Sequence, residues 1–150
     1  MKNPVGTIIA IMAVIYLIYV SPANDIGLIQ WARSQSEALS YTRELIDGVI
    51  DTRLLTEDML EDYALNMASA SELYEFSIIR KEKCIMPDPK HPGKTYTTYI
   101  VVDDISQYNQ GDKIIVEVKP VGTNLYQKFS SAFSNTATLN KGFRLAGRVR

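Results

Sequence analysis

With only one cysteine, Cys84, the chain cannot form an internal disulfide, so no disulfide framework holds its fold. Cys84 also lies far from the N-terminal apolar run, which excludes it as a lipoprotein acceptor. There is one histidine, His91, and a zinc site built from Cys and His needs more ligands than these two. A net charge of −1 gives no global field for nucleic acid, and no nucleic-acid partner is expected. Phosphate-binding glycine loops are missing as well: Gly93-Lys94-Thr95 lacks the upstream glycine and spacing of a Walker motif. No catalytic constellation stands out. His91 sits among prolines at a turn, with no group beside it to orient it as a general base. Cys84 ends an apolar strand-like run and reads as a small hydrophobe. Asp103-Asp104 reads as a turn pair at a strand end. The acids Glu57, Asp58, Glu61 and Asp62 read as a charged helix start and solvated face rather than a metal cluster. The expectation is a non-enzyme with no catalytic residue, no metal and no cofactor.

What the chain does have is one long apolar run. Val5 to Val20, VGTIIAIMAVIYLIYV, contains no charged residue, and no acid precedes Asp25. As a helix this run is roughly 24 Å long, against about 30 Å of bilayer hydrocarbon, and a span from Pro4 to Ala23 would be long enough. Tyr16 and Tyr19 then fall at the outer interface as amphipathic anchors. Three readings fit: a retained single-pass anchor, a cleaved signal peptide ending at Ser21-Pro22-Ala23, or a short prepilin leader cut after Gly6. The residues carrying a membrane or assembly role are Gly6, Ile8, Ile9, Ile11, Val14, Ile15, Leu17 and Ile18, with Trp31 just beyond; Gly6 and Ala23 are the processing candidates. Lys2 before the run, and no basic residue after it until Arg33, favour a cytoplasmic N terminus and an extracytoplasmic remainder. Membrane lipid is the first expected partner. The domain division is residues 1–24 as leader and transmembrane helix and 25–150 as an α+β head. That head carries 15 basic against 17 acidic residues, unlike a polybasic lipid-surface binder.

The head opens with a helical pattern from Asp25 to Ile50. Leu28, Trp31/Ala32, Gln35, Ala38/Leu39, Thr42, Leu45/Ile46 and Val49 make one stripe, with Glu37, Arg43, Glu44 and Asp47 mostly off it. Pro22 would end or kink a helix entering from the membrane. A second helix starts at Thr56 as N-cap, with Leu55 and Leu60 as a hydrophobic staple, and buries Met59, Leu60, Tyr63, Ala64 and Met67. From Leu73 the period shifts to two. Tyr74–Ile78 reads as a strand that Arg80-Lys81-Glu82-Lys83 interrupts. The proline-rich Pro87–Lys94 is a loop, Thr95–Val102 a returning strand and Lys113–Lys119 the clearest strand of all. These three suggest an antiparallel meander. Val121–Asn135 has helical spacing, and Thr136–Arg150 suits a last strand with Lys141, Arg144, Arg148 and Arg150 as a basic edge.

A leader, an apolar helix running on into an amphipathic one, a second short helix and a small antiparallel sheet of about four strands: that order resembles pilin-like proteins. In detail it looks most like the minor pseudopilins of tight-adherence (TadE-like) systems and their relatives in conjugative elements. The segments that carry the likeness are Gln30–Arg33, Tyr41–Glu44, Gly48–Thr52, Gly111–Lys119 and Gly142–Arg150. The resemblance implies a structural subunit of a surface filament or of a secretion or conjugation apparatus, with other pilin-like or apparatus subunits as partners. Pilin families usually carry a glutamate five residues after the cleavage glycine; here that position is Ile11. The alternative is a secreted or tethered ligand-binding module using the Pro87–Lys94 loop and the C-terminal basic edge.

Overall fold

The computed structural model describes residues 4–15, 17–18, 21–70, 73–122 and 142–150. These form an α+β structure of three helices, α1 (Pro4–Ile15), α2 (Ser21–Thr52) and α3 (Glu57–Ser69), and one antiparallel sheet. Its strands are β1 (Tyr74–Pro87), β2 (Thr95–Val102), β3 (Lys113–Pro120) and β4 (Phe143–Arg148). Among the described residues no helix is long and apolar enough to cross a membrane. The twelve residues of α1 give about 18 Å of helix, and α2, though 32 residues long, is apolar only on a stripe. The expected single span from Pro4 to Ala23 is therefore not present as one described helix. The interfacial anchors Tyr16 and Tyr19 and the orienting Lys2 lie outside the described residues, as do most of the helix expected at Val121–Asn135 and the segment Thr136–Lys141. Pro22 falls in the first turn of α2, where a missing N–H leaves no intrahelical bond unmade.

The stripe of α2 is buried from Ser34 onward, through Ser34, Ala38, Thr42, Leu45, Ile46 and Val49. Upstream, Leu28 and Ile29 are exposed, so the packed part of the helix begins about two turns later than the sequence pattern. Helix α2 ends at Arg53, whose φ of 59° is the left-handed stop of a helix C terminus, here taken by a non-glycine. Thr56 caps α3 by accepting from the Met59 N–H at 3.3 Å. Leu55 is buried and Leu60 packs on the core, as a staple does; Tyr63 and Met67 are buried, and Ala64 is exposed.

The sheet order is β2-β1-β3-β4, so the three-strand meander is corrected. The hairpin partner β2 takes one side of β1, and β3 crosses to the other. The charged stretch Arg80–Lys83 does not interrupt β1, which runs unbroken for 14 residues. Its first half pairs with β3 (Tyr74↔Pro120 to Lys81↔Lys113) and its second half with β2 (Arg80↔Val102 to Pro87↔Thr95). The second half of β1 and β2 thus extend beyond the core as a two-stranded arm, with Ile85, Tyr96, Ile100 and Val101 exposed on it. Such length is possible because β1 changes partner midway.

The two faces of the sheet differ by the strand period of two. One face meets the helices in cross-strand rows, Phe76–Val118–Phe143 and Ile78–Val116–Leu145. These side chains join Leu45, Ile46, Val49, Tyr63 and Met67 in a single core, each aliphatic contributing roughly 1.5–3 kcal/mol on burial. The third row on this face ends in Gly147. A Cβ there would collide with Ile46 Cγ2 and Ile50 Cδ1, so glycine lets α2 lie close on β4. Polar links fasten the layers: the Ser34 hydroxyl meets the Tyr74 hydroxyl at 2.9 Å, and the Thr42 hydroxyl meets that of Tyr63 at 2.8 Å. The Tyr63 ring stands edge-on to Phe76, with centroids 4.7 Å apart.

Candidate functional site

Of the residues singled out for a membrane or assembly role, Gly6 lies in α1 and Ala23 in the first turn of α2. Ile8, Ile9, Ile11, Val14, Ile15, Leu17 and Ile18 are all exposed, between 49% and 66%, and Met12 stands beside them at 67%. A helix that is apolar all round has no inward face to choose, and no described part of the chain covers this one. Trp31 behaves differently. It is half-buried on α2, and its indole N–H is enclosed without a hydrogen-bond partner among the described residues, as is the side-chain amide nitrogen of Gln35 one turn on. Trp31 follows Ile18 by 13 residues along the chain.

A second constellation escaped sequence reading. Arg80, in the charged stretch expected to interrupt the strand, is 6% exposed, and Asp112, just before β3, is 1% exposed. Arg80 Nε and Nη2 both donate to Asp112 Oδ2, at 3.2 and 3.1 Å, and Nη1 donates to the Asp104 carbonyl at 3.1 Å. The guanidinium also lies 5.5 Å from the Tyr108 ring centroid. Asp112 has further duties: its carboxylate accepts from the Lys83 backbone N–H at 3.0 Å and the Asn109 backbone N–H at 2.9 Å. Its carbonyl accepts from the Val149 N–H at 2.9 Å, while the Val149 carbonyl accepts from the Gly111 N–H at 2.8 Å. Gly111, with φ of 92°, turns the chain from Asn109 into β3, as only glycine does without strain. The pair therefore ties β1, the β2–β3 connection, β3 and the C terminus into one unit. Both carboxylate oxygens are engaged, Oδ2 by three donors and Oδ1 by one, which is the arrangement of a structural tie. Burial pushes the Tyr108 phenol up to about 12. Burial likewise raises Tyr63, against a smaller lowering by its bond to Thr42.

The face of the sheet turned away from the helices carries charged residues on either side of the apolar row Ile79–Ile115–Ala146, in which Ile115 is buried. Lys81, Lys113 and Arg148 stand in one cross-strand row. Lys113 Nζ sits 3.8 Å from the Tyr99 ring centroid, and Arg144 pairs with Glu117 at 3.3 Å. Arg144 and Arg148 thus give β4 the basic character expected of the last strand, while Lys141 lies outside the described residues. Around the sheet end, an open groove of about 970 Å³ is lined by Asp47, Asp51, Lys83, Arg148 and Arg150 among others. The Pro87–Lys94 loop lies elsewhere, at the tip of the arm, six strand residues or about 20 Å along β1 from Lys81. The two halves of the ligand surface expected from sequence are thus not brought together. In that loop the Asp88 carboxylate accepts from the Lys90 N–H at 2.9 Å and meets His91 Nδ1 at 2.8 Å. These bonds hold Asp88 below the usual carboxylate range, the Lys90 N–H foremost. Asp104 is lowered in the same way by Ser106, so Asp103-Asp104 marks a turn. Cys84 is half-buried in β1.

No family model, no curated protein and no solved structure matches this chain. Its function must therefore be argued from its surfaces. Among the described residues no group of three or more His, Cys, Asp or Glu is placed to hold a metal ion. His91 is exposed at the arm tip, with Asp88 as its ring partner.

Proposed function

We propose that the chain is a membrane-anchored, pilin-like structural subunit of a surface filament or of a secretion or conjugation apparatus, with its α+β head outside the membrane. The observation that carries this reading is the uncovered apolar surface of Ile8–Ile15 with Leu17 and Ile18, which makes no core contact with the head. Contiguous apolar surface of this kind is stable only against lipid or other apolar helices. Supporting it are the resemblance in element order and the net apolar run Val5–Val20, which extends past the twelve residues of α1. The lack of an acid at Ile11 favours a purely hydrophobic anchor over a standard pilin tail. Replacing Ile11 or Val14 with Arg costs on the order of 2.5–3.5 kcal/mol at a bilayer centre and should move the protein out of the membrane fraction. Unchanged fractionation of both variants rejects the anchor.

The open groove at Asp47, Asp51, Lys83 and Arg148 supports a second reading, a ligand-binding module released after Ala23. Mass spectrometry of the mature N terminus separates the two. A start at Asn24 means release by a signal peptidase; a start at Thr7 means prepilin processing; Met1 or Lys2 means an uncleaved anchor.

A further inference from the structure

The two edges of the sheet are built differently. The β4 edge carries Arg144 and Arg148, the kind of charge that keeps a strand edge from pairing with a neighbour. The β2 edge, TYTTYIVV, has eight residues with no charge, no proline and no glycine, all of them β-branched or aromatic. Nothing among the described residues pairs with its outer side. Lys83 donates its N–H away from β2, to Asp112, so alternation along β1 turns Cys84 and Met86 toward β2. Their partners Thr98 and Tyr96 therefore point their backbone groups inward, leaving Thr95, Thr97, Tyr99 and Val101 with N–H and C=O groups facing outward.

We propose that β2 is the interface of a two-fold dimer, formed by antiparallel β2–β2 pairing of two copies into one eight-stranded sheet. A two-fold axis normal to the sheet keeps each face continuous, so residues on the axis pair with themselves. Centring it on Thr98 uses the whole strand: Tyr96 of one copy meets Ile100 of the other, Thr97 meets Tyr99 and Thr95 meets Val101. Aromatic and β-branched neighbours stabilise such pairs, and no like charges oppose. At the ends, Lys94 of one copy falls opposite Val102 of the other and Asp103 opposite Gly93, so no like charges meet there either. The same operation on β4 would bring arginines together.

This pairing does not depend on the membrane reading, and its test separates the two. The full chain in detergent micelles should sediment as a concentration-dependent dimer. Thr97→Pro deletes an outward N–H in each copy while sparing the β1–β2 ladder, and should weaken the dimer by about tenfold or more at unchanged head melting. In a Cys84→Ser background, Thr98→Cys places two cysteines at a non-hydrogen-bonded pair with Cα atoms about 4.5 Å apart, within disulfide reach. It should give a covalent dimer under mild oxidation, where Tyr99→Cys should not. A monomeric full chain overturns the proposal, including the case in which β2 pairs with a different protein. A dimer indifferent to Thr97→Pro and without the Thr98→Cys crosslink also overturns it, and assigns association to the N-terminal helix.

Discussion

Helix α1 and the second half of α2 are both rich in aliphatic residues, yet they end in opposite environments. In α1, Ile8, Ile9, Ile11, Val14 and Ile15 are exposed by about half or more, whereas Ala38 and Val49 of α2 are fully buried and Leu45 and Ile46 nearly so. The difference lies in what surrounds the apolar residues. Those of α2 are confined to one stripe by Arg43, Glu44 and Asp47, and a stripe has a direction in which to pack. Those of α1 lie on every side, so burial of one face leaves another uncovered. Apolarity supplies the drive to leave water; only its asymmetry says which surface of the same chain receives it.

Matched substitutions break or sharpen this contrast. Val49→Arg puts an unpaired charge in the core between α2 and the sheet and should abolish cooperative unfolding of the head, followed by circular dichroism. Val14→Arg, a like change in α1, should leave head stability within about 0.5 kcal/mol while removing membrane retention. Equal destabilisation by both would mean that α1 is part of the head's core after all. Asp112→Asn comes next. It strands the buried Arg80 charge, and a loss of about 3–5 kcal/mol in denaturant unfolding is expected. Because the carboxylate also takes the Lys83 and Asn109 N–H groups, the double replacement Arg80→Met with Asp112→Leu should not restore stability. Full recovery would show that the ion pair is dispensable.

Thr42→Val is a smaller perturbation. The Thr42 hydroxyl donates to the Ala38 carbonyl at 2.7 Å and meets the Tyr63 hydroxyl, so its removal leaves a buried phenol unpaired at a cost of about 1–3 kcal/mol. The smallest effect at ordinary conditions is the alkaline response. Tyr108 and Tyr63 are raised by burial, so the unfolded state releases their protons first. Stability from the buried neutral Tyr108 phenol is fully present below the ordinary value of 10 and is lost as pH rises from there to about 12, and Tyr63 adds a loss of the same sign above 10. Tyr108→Phe should shallow that decline; an unchanged alkaline profile would assign it to other groups.

Local pattern was enough for several elements. Thr95–Val102 forms a strand over the same residues the alternation indicates, because nothing in TYTTYIVV favours another conformation. Thr56 caps α3 because the hydroxyl, the following acids and the staple all act within one turn. The misreadings have a common source in partners distant along the chain. Arg80–Lys83 looks like a break in a strand because four charged residues in a row suggest solvent. Arg80 is buried because Asp112, 32 residues away, neutralises it. A meander needs the shortest connections; the observed order places β3 on the far side of β1, where Phe76 and Ile78 can share a face with Val116 and Val118. The exposed helix was legible as a surface from composition alone, whereas the Arg80–Asp112 centre had no sequence signal, since each residue reads locally as polar surface.

Taken alone, the sequence determined that the chain divides into a wholly apolar N-terminal run and a mixed head, and that the head has helices first and strands after. Those properties depend on composition and on periods of 3.6 and two residues, which are local. Tertiary structure decided which charges are buried, which side of β1 each neighbour takes, and which sheet edge is left bare beside one guarded by arginines. These depend on the register between strands, and register is set only when distant segments share one core.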